Sequence, residues 1–281
     1  MTSSPQTSRA RAEIGVIGGS GLYDFLEGYD EVEVETPFGS PSDPLVVGEV
    51  HGRRVAFVAR HGRGHRFAPH QVNYRANLWA LRALGVRQVL SPCAVGSLRA
   101  EQGPGTVVVP DQVVDRTWGR AHTIYEAEGP VVHVSFADPY CPHGRAVAVE
   151  AARRSPLDVV ADGTLVVVNG PRFSSRAESL MHQQAGWSVV GMTTMPEAAI
   201  ARELALCFTT IAMVTDLDAG VEGGESVSHE EVLRVFGSNV EHLKGILRDA
   251  IGELPAHEPD DEATCPCRRT LDGLELPLTL P

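Results

Sequence analysis

Short apolar runs recur along the chain and alternate with longer segments of helical periodicity. The runs are rich in β-branched residues and do not alternate strictly with polar residues, which predicts strands buried on both faces. Seven strands are predicted, at residues 14–17, 54–59, 88–91, 106–110, 164–169, 188–192 and 208–215. Five helices are predicted, at residues 70–84, 143–154, 176–185, 196–206 and 229–251. This mixture predicts a layered α/β domain whose ligands lie at the carboxyl ends of the strands.

Three of the predicted helices begin with a capping box, in which a hydroxyl and a glutamate three residues later satisfy the first backbone N–H groups. The boxes are Ser175 to Glu178, Thr194 to Glu197 and Ser228 to Glu231. In the second box a proline, Pro196, falls in the first turn, where proline is well tolerated. These signals place the starts of the helices within a few residues.

The middle of the chain, residues 13–253, is predicted to form one domain between two less ordered ends. Residues 1–12 predict a disordered start, and residues 254–281 predict a tail rich in proline and acid. The end of the tail, LDGLELPLTLP, is apolar again and is expected to dock on the body or on a neighbouring chain. The Cys265-Pro-Cys267 segment is either a strained redox clip or two exposed thiols.

Composition narrows the class of protein. The 281 residues include 43% hydrophobic positions and carry a formal net charge of −12, which argues against non-specific binding to nucleic acid. Five cysteines, the lack of an apolar leader and the lack of an apolar run of about 20 residues predict a cytoplasmic protein without membrane contact. The single lysine, Lys244, lies far from any glycine-rich loop, which argues against P-loop and Schiff-base chemistry.

Several predicted strands end in residues suited to binding an anion. The first strand runs into Gly18-Gly19-Ser20-Gly21, where backbone N–H groups and a hydroxyl can approach an anion, although a plain tight turn explains the same residues. Arg60 and His61 follow the second strand, and Thr193 stands at a helix start. Three histidines near position 65 suggest a metal site, but the arginines among them would repel a cation.

The last predicted strand ends in two acids, in the sequence MVTDLDAG. Asp216 and Asp218 are two residues apart and therefore point to the same side of a strand. Two acids at the end of a buried strand are costly unless a ligand contacts them. A ligand with phosphate at one side and a hydrogen-bond-donating ring at the other fits both kinds of strand end.

Nine ordered motifs carry a resemblance to a known family. They are GGSGL, ETPFGSPSD, ARHGRGH, VNYRANLWAL, AVGSL, FADPYC, GPRFSSRAES, GMTTMPEAAIARE and TDLD. Over residues 13–252 the chain resembles S-methyl-5′-thioadenosine phosphorylases of the trimeric purine nucleoside phosphorylase family. The resemblance implies a single α/β domain whose central mixed sheet is partly closed into a barrel and flanked by helices. It also implies a homotrimer or a dimer of trimers, in which a neighbour supplies part of each site.

The resemblance further implies which residues form the site. The phosphate site would consist of Ser20, Arg60, His61, Cys93, Ala94 and Thr193. The nucleoside would be bound by Met192 at the ribose, by Ser174, Asp216 and Asp218 at the purine, and by His133 near the 5′ substituent. Inorganic phosphate would be a co-substrate, with no cofactor and no metal.

Three departures from the family pattern bear on these assignments. Cys93 stands where relatives often have Thr or Ser, so its phosphate contact would come from the side chain or from the backbone alone. Asn169 precedes Gly-Pro-Arg-Phe where Glu is common. Residues 219–231 lack the bulky side chains of some relatives, so the pocket for the 5′ group is expected to differ.

The reaction implied is phosphorolysis of S-methyl-5′-thioadenosine to adenine and 5-methylthioribose 1-phosphate, with Asp216 as the proton donor to N7. The first alternative is a purine nucleoside phosphorylase with broader substrates, such as adenosine, 5′-halogenated adenosines, inosine or guanosine. A nucleosidase that uses water and a non-enzymatic nucleotide sensor are the others. The two acids favour a 6-amino purine, since 6-oxopurine relatives use Asn at the position of Asp216.

Overall fold

The computed structural model describes residues 11–19, 22, 25–26, 28–221, 227–256 and 265–281. Its eleven strands are β1 (Ile14–Gly18), β2 (Asp30–Val32), β3 (Leu45–Val50), β4 (Arg53–Ala59), β5 (Gln88–Ser97), β6 (Val107–Val108), β7 (Gln112–Arg116), β8 (Val159–Val160), β9 (Thr164–Val168), β10 (Val189–Gly191) and β11 (Cys207–Leu217). The helices are α1 (Tyr74–Ala83), α2 (Pro142–Arg153), α3 (Arg176–Gln184), α4 (Thr194–Glu203) and α5 (His229–Glu253).

The strands form one mixed sheet that branches at β5. The main path runs β2-β3-β4-β1-β5-β10-β9-β7, and β11, β6 and β8 extend a second branch from β5. Strand β5 is parallel to β1 and β11 and antiparallel to β10. The central mixed sheet and its flanking helices confirm the expected fold class. The sheet is not closed, however, so the prediction of a partial barrel was wrong.

Helices cover the sheet and bury both of its faces. One apolar core includes residues of α1 and α4, and the other includes residues of α2 and α5. All five residues of β1 are buried, as are nine of the ten in β5. This double burial explains why the central strands read as continuous apolar runs.

The predicted elements are largely confirmed, and the differences have local causes. Strand β5 is ten residues long, whereas four residues were predicted. The segment SPCAVGS, which contains small residues and a proline, stays paired with β11 and so extends the strand. Strand β2 was not predicted, because two of its three residues are acidic and exposed. Strands β3, β7 and β8 were also missed, and they lie in the outer parts of the sheet.

The capping boxes have mixed outcomes. Ser175 and Glu178 form the complete box at α3. Ser228 accepts a hydrogen bond from the N–H of Glu231 at α5, while the Glu231 carboxylate binds Arg234 instead. The box predicted at Thr194 is wrong: the first residue before α4 is Thr193, and it makes no side-chain capping bond.

The chain end from residue 265 to residue 281 packs on the body. Leu278 and Leu280 contact the core that contains α1 and α4. Cys265 and Cys267 are buried free thiols, so both expectations for this segment, a redox clip and exposed thiols, are corrected. None of the helices in the described part of the chain has the length and apolar character needed to cross a membrane.

Candidate active site

A cavity of about 270 Å³ opens at the carboxyl ends of the central strands. Its wall is formed by residues that end or follow β1, β4, β5, β10 and β11, with one side supplied by α5. Nine of the eleven residues predicted for the site line it: Arg60, His61, Cys93, Ala94, Ser174, Met192, Thr193, Asp216 and Asp218. The structure therefore brings these nine predicted residues together around one cavity.

Arg60 lines the cavity but is held by a buried ion pair. Its Nε lies 2.6 Å from Glu197 Oε1, and both side chains are almost completely inaccessible to solvent. Its Nη2 donates to the Ile17 carbonyl and to Ser91 Oγ, which in turn donates to Glu197. The sequence did not identify Glu197 as this partner, because a capping box explained the residue equally well. The pair fixes Arg60 and neutralises much of its charge.

His61 is an uncharged ring at this end of the cavity. Burial, and after it the positive charge of Arg60, lowers the pKa of His61 to about 3. Its Nδ1 lies 2.9 Å from the Phe67 carbonyl oxygen, which makes Nδ1 the protonated nitrogen, and the ring stacks on His65 at 4.2 Å. The other nitrogen, Nε2, is therefore an acceptor in the neutral ring. It can bind a protonated oxygen of a phosphate.

Thr193, which follows β10, and Ala94, which lies within β5, line the cavity from neighbouring strands. The Thr193 hydroxyl takes no part in capping α4, where the backbone of Met195 leaves the helical region. Ala94 faces the cavity and is the one exposed residue of β5. Cys93 also lines the cavity but is buried, and this burial raises the pKa of its thiol to about 11. At this position Ala94 and the backbone are available to a ligand, and Cys93 stays a neutral thiol.

The acid pair stands at the end of β11. A bulge between Val214 and Asp216 interrupts the register with β5, and both Asp216 and Asp218 line the cavity. Asp216 Oδ1 accepts a hydrogen bond of 2.8 Å from Thr215 Oγ1. Asp218 is buried, and its Oδ2 has no hydrogen-bond partner among the described residues. An unpartnered buried carboxylate oxygen is a site for a donor supplied by a ligand.

The environment of Asp216 favours a proton on its carboxyl. Burial, together with the nearby charge of Asp218, raises the pKa of Asp216 from 3.8 to about 6, against the opposing hydrogen bond from Thr215. Roughly one tenth of the molecules then carry this proton at pH 7 before any ligand binds. A group of this kind is suited to general acid chemistry near neutrality.

Arg120 organises the segment that leads into α4, and sequence reasoning missed it. The buried guanidinium donates to the carbonyls of Met192, Met195 and Asn169, at 2.8, 2.5 and 2.8 Å. Its Nε also donates to Asn169 Oδ1 at 3.2 Å. Asn169, which departs from the family pattern, therefore serves to hold Arg120. No local motif marks Arg120, because all its partners are distant in sequence.

The first turns of α5 give the cavity an apolar side that was also missed. Val232, Leu233 and Phe236 line it, and Leu233 is 47% exposed. They lie at positions i, i+1 and i+4 of a helix, so a helical wheel could have grouped them, but it could not have shown which element they face. This surface can receive an uncharged, apolar part of a ligand.

The two remaining predicted site residues are Ser20 and His133. Ser20 lies outside the described residues, although Gly19 beside it lines the cavity. His133 is exposed in the long loop before α2 and is not among the lining residues. Its assignment to the 5′ substituent stays a prediction.

Comparison with known proteins agrees with the fold. The phosphorylase superfamily model matches residues 13–252. A purine nucleoside phosphorylase of Streptomyces coelicolor is 60% identical over 281 residues, which cover 98% of this chain and 99% of the relative. An S-methyl-5′-thioadenosine phosphorylase of Mycolicibacterium smegmatis is 50% identical over 270 residues, which cover 95% of this chain and 99% of the relative. The structure of methylthioadenosine phosphorylase from Schistosoma mansoni with adenine superposes with a TM-score of 0.84 at 38% identity, over 88% of this chain and 93% of that one.

The chain, with its open mixed sheet and its cavity at the strand ends, therefore belongs to the phosphorylase superfamily. Within that class its relatives are nucleoside phosphorylases, and the enzyme is a pentosyltransferase that cleaves nucleosides with phosphate. The resemblance to S-methyl-5′-thioadenosine phosphorylases is confirmed, since two such relatives are identical to this chain at about half of the aligned positions.

Proposed function

We propose that the enzyme phosphorolyses S-methyl-5′-thioadenosine to adenine and 5-methylthioribose 1-phosphate. The observation that carries the proposal is the acid pair in the cavity, with Asp216 inclined to hold a proton and Asp218 left with a free acceptor oxygen. A protonated Asp216 donates to N7 of the purine, and Asp218 accepts from the 6-amino group. A 6-oxopurine offers no donor at that position for Asp218.

The remaining groups of the cavity suit the other parts of this substrate. The apolar side of α5 suits a 5′-methylthio group, which needs no hydrogen bond. Phosphate is bound by Thr193, Arg60, the backbone at Ala94 and the loop that contains Ser20, with neutral His61 accepting from a protonated oxygen. Glu197 balances the positive charge of Arg60, so the phosphate anion is shared among neutral donors. This arrangement favours exchange of the bound phosphate over its retention.

The chemical step follows from the charges that develop. The bond between the sugar and N9 stretches first, which leaves positive charge on the sugar and negative charge on the purine. The proton on Asp216 stabilises the departing purine, and the bound phosphate attacks the opposite face of the sugar carbon. Met192 and Ser174 hold the sugar and the base in line for this attack.

A second candidate function is a purine nucleoside phosphorylase of broader range, because the relative from Streptomyces coelicolor carries that name. Purine release from S-methyl-5′-thioadenosine, adenosine and inosine, each with and without phosphate, separates the candidates. We expect the first substrate to be the fastest, adenosine to be slower, inosine to be slowest, and all release to require phosphate. Faster turnover of inosine would overturn the substrate assignment. Release without phosphate would point to a nucleosidase, and adenine binding without turnover would point to a sensor.

We also propose that the active form is a homotrimer or a dimer of trimers. The basis is the resemblance to the trimeric family, together with the position of His133, which is exposed and does not line the cavity of its own chain. In such an assembly His133 completes the 5′ pocket of a neighbour. Sedimentation analysis of the wild type and of His133→Ala, with steady-state kinetics on each, tests this. A monomer of full activity would refute it.

A further inference from the structure

Four cysteines from three parts of the chain converge in one place. Their sulfurs, those of Cys141, Cys207, Cys265 and Cys267, all lie within 4.8 Å of one another, and all four residues are buried. We call them the tetrathiol cluster. They form a small core of their own, and none of them lines the cavity of the active site. The proposed reaction therefore gives these thiols no role.

Each sulfur is presented by the start of a structural element. Cys141 is the residue before α2, and Cys207 is the first residue of β11. Cys265 and Cys267 flank Pro266, which begins the short 3-10 helix Pro266–Arg269. One intervening residue is fewer than the two to four common between zinc ligands. The turn nevertheless brings both sulfurs to the other two.

The spacing of the sulfurs matches ligands around a central ion. Sγ of Cys265 lies 3.6 Å from Sγ of Cys141 and 3.4 Å from Sγ of Cys207. Four thiolates at about 2.3 Å from a tetrahedral zinc ion are about 3.8 Å apart. A disulfide would join two sulfurs at about 2.05 Å and leave each with one partner. The Cys265 sulfur instead lies at similar distances from two others.

The surroundings of the cluster suit thiolates. The N–H of Gly144 donates to Cys141 Sγ at 3.4 Å, in the first turn of α2. A side chain at Gly144 would collide with Thr209 Oγ1, 2.2 Å from the position of its Cβ, so glycine is needed for this approach. The start of α2 is the positive end of its dipole. Both features stabilise negative charge on sulfur.

We propose that the tetrathiol cluster is a structural zinc site. Four protein ligands leave no open position for water or substrate, so the ion has no catalytic task. Its effect is to tie the chain end to the body: Cys141 and Cys207 belong to the domain, and Cys265 and Cys267 begin the segment 265–281. That segment lays Leu278 and Leu280 on the core. An ion at its start reduces the entropy lost when the segment packs.

Metal analysis of the full-length, untagged protein tests the proposal. We expect about one zinc per chain after exhaustive dialysis, and X-ray absorption at the zinc edge should show four sulfur ligands at about 2.3 Å. Cys267→Ser should lower zinc content at least about tenfold. Cys93→Ser is the matched control, since it removes the one buried cysteine outside the cluster, and it should keep its zinc.

Several results would contradict the presence of a structural zinc site. Iron in place of zinc, nitrogen or oxygen ligands in the absorption spectrum, or metal-free protein after growth in zinc-supplemented medium would each overturn the proposal. Alkylation of the denatured protein under non-reducing conditions should modify five thiols. Modification of three or of one would show disulfides instead. This test uses the wild type alone and does not depend on whether a variant folds.

The structural role has its own measurement. Hydrogen exchange followed by mass spectrometry, with and without a zinc chelator, should show faster exchange in peptides from residues 265–281 on chelation. Peptides from β1 and β4 should be unchanged. Equal protection of residues 265–281 in both samples would refute the anchoring role. Phosphorolysis by the chelated protein is independent of this result, so failure here leaves the proposed function intact.

Discussion

Replacing Asp216 by asparagine should weaken catalysis and stabilise the protein at once. The substitution keeps the size of the side chain and the Oδ1 atom that accepts from Thr215. It removes the titratable proton and the buried charge. General acid catalysis contributes about 10²–10⁴ in rate, so kcat for S-methyl-5′-thioadenosine should fall by that factor. The ratio of inosine to S-methyl-5′-thioadenosine turnover should rise, because an amide can donate to O6.

The stability effect follows from the raised pKa of Asp216. The folded value is about 6 and the ordinary value is 3.8, so the folded protein binds this proton more tightly than the unfolded chain. The carboxyl therefore costs nothing at low pH, and its cost grows as pH rises from 3.8 to about 6. At pH 8 the cost is about 3 kcal/mol, and at pH 5 it is about half as large. Asp216→Asn should remove both.

Urea denaturation at pH 5 and pH 8 measures this difference. The gain in the free energy of unfolding from Asp216→Asn should be about twice as large at pH 8 as at pH 5. Asp249→Asn is the control, because it makes the same chemical change on the exposed side of α5. An equal gain at both pH values would refute the raised pKa. Near-normal turnover by Asp216→Asn would refute its role as proton donor.

Three further predictions test other parts of the site. Thr193→Val should raise KM for phosphate about 10- to 100-fold with little change in KM for the nucleoside, measured by varying each substrate in turn. Glu197→Gln leaves Arg60 as an uncompensated buried charge and should lower the free energy of unfolding by about 3 kcal/mol in urea. Leu233→Ala should lower kcat/KM for S-methyl-5′-thioadenosine about fivefold relative to adenosine, since it removes apolar contact with the 5′ group. Loss on both nucleosides alike would contradict the last.

A strand or helix could be predicted when its own local sequence carries the pattern that defines it. The central strands and all five helices carry their own pattern, either continuous β-branched runs or helical periodicity. Strand β2 has three residues, two of them acidic, and pairs only because β3 offers its edge. The end of β5 pairs because β11 lies beside it. Pairing of this kind depends on neighbours distant in sequence, which no local pattern records.

The residues of the site also differ in whether a local sequence signal marks them. Asp216 and Asp218 could be singled out because two acids at the end of an apolar run conflict with burial. Glu197 was misassigned to a capping box, because the local motif and the ion pair with Arg60 use the same residue. Arg120 had no local signal at all, since it contacts carbonyls from two distant segments.

The sequence by itself determined the α/β class, the order of its central elements and the chemistry at the strand ends. These follow from periodicity and from polar residues that interrupt apolar runs. Only the tertiary structure decided which charges are balanced, as for Arg60, and which of two neighbouring residues is buried or exposed, as for Cys93 and Ala94. It alone gathered four cysteines spread from position 141 to position 267. The reason is that burial, charge compensation and metal coordination are set by distances in space, and the chain fixes those distances only when it folds.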